Sequence, residues 1–312
     1  MITLQDVQSA AARIAPHVRR TPLVAATQAL HPATDADLWL KLECLQASGS
    51  FKARGAMNRL LTTDPAMLAN GIVTASGGNH GVATARAGRI AGVPTTVFVP
   101  ENASALKRAK LAEWGADVHT VGTLWDESNK AANAFAAEHG SVYFHPFADP
   151  AVVAGQGTIA LEILEDLRDV SLFLIAIGGG GLASGMATVL RAFAPDARIV
   201  GIEPVGAPTL HASLAAGHVV TLPRVTTTVP TMACGRTDER IYDILAPALD
   251  EIVLIDDTDM FEAARWLWFE MGLAADPSGA AAVAALRCGA VKPRPGERVC
   301  GLVCGAGTEG LA

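Results

Sequence analysis

The sequence predicts an α/β protein: two open, twisted, mainly parallel sheets flanked by helices, with a smaller lobe inserted into a larger one. Three observations carry this. Short β-branched runs alternate with Ala-rich stretches of helical length. The runs are continuously apolar rather than alternating, as in strands covered on both faces. Glycines recur at the strand ends, the edge at which such sheets bind ligands.

In chain order, the strand candidates are GIVTAS (71–76), TTVFVP (95–100), DVHTV (117–121), FLIAIGG (173–179), RIVGIEP (198–204), EIVLID (251–256) and RVCGLVCG (298–305). Helices are expected over 80–92, 104–115, 127–140, 155–167 and 259–273, where Ala and charged residues recur at helical spacing. Residues 71–147 hold three compact β–α units and are expected to form the small lobe. Residues 1–70 and 148–312 would form the large one. PFADP (146–150), punctuated by proline at both ends, reads as the return linker.

Composition narrows the function classes. Half of the 312 residues are hydrophobic and 18% are charged, which excludes a disordered chain. A net charge of -7 argues against a nucleic-acid partner. The amino terminus lacks the apolar core and cleavage site of a signal peptide. The most apolar window, 171–190, is broken by consecutive glycines, so no membrane partner is expected. The five cysteines (44, 234, 288, 300 and 304) form no CxxC pair and no zinc spacing, pointing to reduced thiols in a cytoplasmic protein and to no metal centre.

Two glycine turns carry chemistry. IGGGGL (177–182) follows an apolar strand and precedes a helix expected to begin near Ser184. Its backbone N–H groups can cradle an anion, or its glycines serve only close packing. It lacks the GxxxxGK[ST] of a P-loop, and a single phosphate suits it better than a pyrophosphate. SGGNHG (76–81) repeats the arrangement; it can hold a carboxylate, with Asn79 offering a directional hydrogen bond, or Asn79 is there for its tolerance of positive φ. A third turn, VCGAG (303–307), presents the thiol of Cys304, either a functional group or a small buried hydrophobe.

SGSFKARGA (48–56) places Lys52 in a tight apolar run. Read alone, it is a helix start capped by Ser48 or Ser50 with the lysine in water. Beside a phosphate cradle and a carboxylate cradle, it points to pyridoxal 5′-phosphate. That cofactor needs a lysine for its aldehyde and a nest for its phosphate, and its amino-acid substrate brings the carboxylate.

KLECLQASGSFKARGA (41–56), SGGNHG (76–81), HPFADPAVVAGQGTIALEILE (145–165), GGGGL (178–182), IEPVGAP (202–208) and DPSGAAAVAAL (276–286) together resemble the threonine/serine dehydratase and serine racemase group. These are fold type II, tryptophan-synthase-β-like enzymes, and the likeness runs from about residue 5 to 307. The resemblance implies that Lys52 bonds the cofactor and then works on the substrate α-proton, and that Phe51 packs beside the ring. It implies that Ser76, Gly77, Gly78, Asn79 and His80 supply the substrate-carboxylate loop, with Asn79 also on the ring 3-oxygen. Gly178, Gly179, Gly180, Gly181 and Leu182 would bind the phosphate, and Cys304 would face the pyridine nitrogen. A neutral thiol there favours rapid loss of a β-substituent. The implied reaction is β-elimination of water from a 3-hydroxy amino acid of L-threonine or L-serine type, giving a 2-oxo acid and ammonia. Relatives of this kind are commonly dimers or tetramers, so a homo-oligomer is expected.

Rival readings are a racemase, a β-replacement synthase and a non-catalytic binder of pyridoxal phosphate or amino acids. Racemases of the group carry a serine where this chain has Gly77, and synthases typically read Gly-Asn-Thr where it has Gly78-Asn79-His80. The chain departs from the group elsewhere: Asp276-Pro277 replaces the usual Glu-Pro, and Gly305-Ala306-Gly307-Thr308 replaces a Gly-Gly-Asn turn. Glu203 and Ala207 match a divalent-metal segment of some relatives, but Thr209 stands at the aspartate position, so Glu203 is expected to be solvated or locally paired. In residues 226–245, Arg236 or Arg240 either meets a second polar group of the substrate or pairs at the surface with Asp238 or Glu239. The chain is too short for the regulatory extension of biosynthetic threonine deaminases, so that feedback is not expected.

Overall fold

The computed structural model describes residues 2–101, 103–123 and 125–311. Among the described residues, ten strands form two sheets. In chain order they are β1 (Leu23–Ala25), β2 (Asp37–Lys41), β3 (Ile72–Ala75), β4 (Thr95–Val99), β5 (Asp117–Thr120), β6 (Val142–Tyr143), β7 (Leu172–Ala176), β8 (Arg198–Pro204), β9 (Glu251–Ile255) and β10 (Arg298–Leu302). The six-stranded sheet runs β1-β2-β10-β7-β8-β9 and the four-stranded sheet β5-β4-β3-β6. Every pairing is parallel except β1 with β2. Each strand expected from the sequence is present. β1, β2 and β6 were not expected: β1 and β6 are too short for a pattern, and β2 is bounded by Asp37 and Lys41.

Helices cover both sheets, and local chemistry sets their ends. The helix Pro150–Asp166 begins earlier than the apolar pattern suggests, because Asp149 accepts from the N–H groups of Ala151 and Val152 while Pro150 presets the first turn. The helix after the glycine run starts at Gly181, not near Ser184, since Gly180 reverses the chain at φ 91°. In the helix Asp257–Met271, Trp266 is core, whereas Trp268 and Phe269 are exposed. Among the described residues, no helix is long and apolar enough to cross a membrane.

The core of the large sheet is aliphatic, with Leu40, Leu174, Val200 and Val299 fully buried in its central strands. Against it, the helix Lys52–Thr62 crosses Pro150–Asp166 at a glycine contact. A Cβ on Gly155 would lie 2.7 Å from the Gly55 Cα, so neither helix tolerates a side chain there. A buried ion network fixes the same crossing. Arg54 reaches Glu43 at 2.7 Å and Glu162 at 2.6 Å, and Lys41 reaches Glu162 at 2.6 Å. Lys41 also donates to the Thr21 carbonyl, so each buried charge has a partner. The start of the Lys52–Thr62 helix is thereby held rigid.

Candidate active site

Ser48 and Gly49 take positive φ (67° and 86°), turning the chain so that Ser50 bridges Gly305 and the Phe51 N–H reaches the Cys304 carbonyl. Phe51 is the N-cap of the Lys52–Thr62 helix and makes no side-chain cap bond. The expectation of a Ser48 or Ser50 cap is therefore corrected: the positive-φ turn points both hydroxyls elsewhere, buried and without a partner among the described residues.

The Lys52 side chain turns inward and not into water. Its Nζ donates to the Pro146 carbonyl at 2.7 Å and lies 5.1 Å from the Phe51 ring centroid. Among the described residues, no carboxylate stands within ion-pair distance of it. Desolvation therefore lowers its pKa from 10.5 to about 8, with weaker opposing pulls from Cys304 and Cys234. The free amine, which is the nucleophilic form, is accessible near neutral pH.

Two backbone nests adjoin this amine. The Phe147 ring, one residue beyond the Lys52 acceptor, lies where a side chain on Gly179 would collide, and its carbonyl blocks one on Gly181. Thr237 holds the Gly179 carbonyl from the other side at 3.1 Å. Among the described residues, no acceptor of the chain meets the N–H groups from Gly178 through Ala183; Ser184 is the first to bond back, to Gly180. With the amino end of the helix Gly181–Phe193 behind it, this is an anion cradle that only glycines can line. The second nest opens the helix Asn79–Ala91, where the N–H groups of Asn79, His80 and Gly81 likewise meet no acceptor among the described residues.

The remaining expected residues fall around this centre. Ser76 accepts from the Gly78 N–H at 3.3 Å, closing the loop on itself. Gly77 lies beside Ala103 and Val99, and Gly78 faces open space. The His80 ring is buried, its Nε2 on the Phe144 carbonyl at 3.1 Å, and burial with nearby Lys52 lowers its pKa to about 3. Its Nδ1 is buried without a partner among the described residues, and its backbone N–H belongs to the loop's nest. The Asn79 amide donates to Asp276 at 3.0 Å. The Cys304 thiol is buried, 3.4 Å from the Ser278 carbonyl, and burial raises its pKa far above that of a free thiol, so it is neutral.

Other expectations resolve differently. Glu203 is not solvated: it is fully buried and accepts from the N–H groups of Leu210 and His211, each at 2.8 Å. Burial raises it from 4.5 to about 7. Thr209 donates to the Cys234 carbonyl. Arg236 pairs with Glu239 and Arg240 with Asp238, both at the surface. Sequence reasoning missed Pro146, whose part is played by a carbonyl that any residue carries. It also missed His145. There Nδ1 accepts from Phe147 and Ala148, so the proton sits on Nε2, and burial lowers its pKa to about 4.

The donor set fits pyridoxal phosphate: an amine without a counter-charge among the described residues, an anion cradle, a second backbone nest and a buried neutral thiol. The comparisons agree. Residues 14–305 match the model of the pyridoxal-phosphate dependent enzymes. An L-threonine ammonia-lyase of Geobacter sulfurreducens is 37% identical over 300 residues, 96% of this chain and 74% of that protein. The maize serine racemase structure superposes with a TM-score of 0.93 at 31% identity, covering 98% of this chain and 93% of that one. The structure of a threonine deaminase from T.th. gives a TM-score of 0.90 at 34% identity, covering 97% of this chain and 98% of that one. The chain belongs to the pyridoxal-phosphate dependent enzyme family.

Proposed function

We propose that this enzyme is a dehydratase, or ammonia-lyase, acting on a 3-hydroxy amino acid of the L-threonine or L-serine type to release a 2-oxo acid and ammonia. The observation that carries the reading is Lys52, half-buried, with its amine desolvated and no counter-charge among the described residues, beside two backbone anion nests. The cofactor supplies an aldehyde for the lysine and an electron sink for the substrate carbanion. The nest at Asn79, His80 and Gly81 binds the substrate carboxylate. Gly178 through Leu182 bind the cofactor phosphate, and Phe51 flanks the ring.

Lys52, once displaced by the substrate amine, would take the α-proton at Nζ, and Gly178 through Leu182 would hold the phosphate that supplies the proton with which the β-hydroxyl leaves as water. The neutral Cys304 thiol leaves the ring nitrogen without an acidic partner, which favours prompt elimination. Burial leaves the His80 and His145 rings neutral, so they add no cation near the amine.

Racemisation is the second reading, favoured by the likeness to the maize racemase. It needs a base on the opposite face, and Gly77 has no side chain to supply one. The test is 2-oxo acid release from both threonine isomers, both serine enantiomers and the 3-hydroxyaspartates, with Lys52→Ala as the blank and chiral analysis of the recovered amino acid. Lysine-dependent oxo acid with no inversion supports elimination. Inversion without oxo acid refutes it.

We further assign residues 71–147 to a small lobe and the rest to a large one, and the enzyme to the cytoplasm as a homo-oligomer. Five free cysteines support the compartment, and the exposed Trp268 and Phe269 support self-association.

A further inference from the structure

Asn79 follows a strand of the four-stranded sheet and Cys304 a strand of the six-stranded one, and both border the proposed ring site. One carboxylate joins them. Asp276 is 6% exposed and has three donors aimed at it. Its Oδ2 takes the Asn79 amide at 3.0 Å, and its Oδ1 takes the Ser278 hydroxyl at 2.7 Å and the Gly279 N–H at 2.6 Å. Ser278 in turn lies 3.9 Å from the Cys304 sulfur, whose nearest acceptor is the Ser278 carbonyl. The backbone makes room for this: the Asp276 N–H bonds the Gly305 carbonyl at 3.0 Å, and a Cβ on Gly305 would lie 2.5 Å from Oδ2.

We propose that Asp276 is a positioning residue: its carboxylate fixes which way the Asn79 amide faces and, through Ser278, where the Cys304 thiol sits. The inference rests on the reading of this cleft as the cofactor site. Its physical basis is the inventory of donors. An Asn amide has a donor end and an acceptor end, and nothing in its own shape decides which faces the cleft. A carboxylate accepts only. Facing Asp276, Asn79 must spend an N–H there, so the rest of the amide is presented to the cleft in one orientation. Because Asn79 opens the first helix of the four-stranded sheet's unit and Asp276 belongs to the six-stranded sheet's, the same bond latches the two across the site.

The change Asp276→Asn tests this. Its side-chain oxygen can still accept from Gly279, so the helix Pro277–Arg287 keeps its cap. The NH2 end then faces Asn79, and two donors cannot share a bond, so the Asn79 amide reverses. With pyridoxal phosphate bound, the absorbance band and its pH titration are expected to shift, and kcat to fall about 10-fold or more with a smaller change in KM. A purely structural role would act equally with or without Asn79, so the same change is made in an Asn79→Ala background. A shift in wild type that vanishes in Asn79→Ala supports the proposal. No shift in wild type, or an equal shift in both, overturns it. Should Asp276→Asn fail to fold, Asp276→Ser, which caps the helix but is too short to reach Asn79, is read the same way.

Borohydride reduction and peptide mapping of the unsubstituted enzyme separate this from the underlying reading. A label on a residue other than Lys52 removes the site itself. A label on Lys52 with no Asn79-dependent shift removes only the role of Asp276.

Discussion

Lys41 and Lys52 come from one stretch of sequence, both have their ammonium groups taken out of water, and they do opposite work. Lys41 is fully buried and lies 2.6 Å from Glu162, with the Thr21 carbonyl as a second acceptor. Its charge is matched, so it serves as a structural cation at the root of the active-site helix. Lys52 has a carbonyl but no carboxylate, and its pKa falls to about 8. Burial alone therefore does not make a lysine reactive. Burial without a counter-charge does, because desolvation then falls on the ammonium uncompensated.

The test with the greatest consequence removes each lysine in turn. Lys52→Ala should lose at least about 10³-fold in oxo acid release, in line with deleting an acid–base group that also bonds the cofactor, while folding normally. Lys41→Met should unfold more readily, yet its folded fraction should turn over near the native rate. A Lys41 variant that is stable but inactive would erase the contrast between the two lysines.

Next comes the partner. Glu162→Gln removes the charge shared by Lys41 and Arg54 and should cost about 3–5 kcal/mol in denaturant unfolding. The pH at which Lys52 titrates should not move, since Glu162 is not among the groups that perturb it.

A third test uses pH on the cofactor-free protein. The Lys52 pKa is depressed in the folded state, so between about 8 and 10.5 the unfolded chain binds more protons. Stability contributed by this group should therefore rise with pH across that window. The difference between wild type and Lys52→Met isolates it from the cysteines that titrate nearby. A flat difference would mean the amine is not desolvated.

Glu203 is the acidic mirror of Lys52, a buried carboxyl with no cation partner among the described residues. Its pKa is raised from 4.5 to about 7, so its contribution to stability is full below about 4.5 and is lost as pH rises through about 7. Glu203→Gln should abolish that decline, read by thermal unfolding from pH 4.5 to 7.5. The exposed pairs should matter least. Arg236→Ala and Arg240→Ala should change stability by less than about 1 kcal/mol, and KM by less than about 2-fold if neither arginine meets substrate.

Much of the fold was legible because its signals are local. The strands of the two sheets' interiors read as apolar runs, whereas β1 and β6 are too short to carry a pattern. The glycine loops were legible for the same reason: a reversal such as that at Gly180 leaves a residue type behind in the sequence. The Pro146 carbonyl left none, and of the two expectations for Glu203 the local pairing holds and the solvation does not, because its partners are backbone N–H groups that leave no residue type behind.

Residue types within a few positions of one another were enough to specify the alternation of strands and helices, the places where backbone can cradle an anion, and Lys52 as the amine to watch. Which buried charges are matched was settled by long-range packing. Glu162 meets Lys41 across 121 residues and Asp276 meets Asn79 across 197. No local pattern encodes such a meeting, because desolvation and its compensation depend on what the packed chain brings to within a few ångströms of a charge.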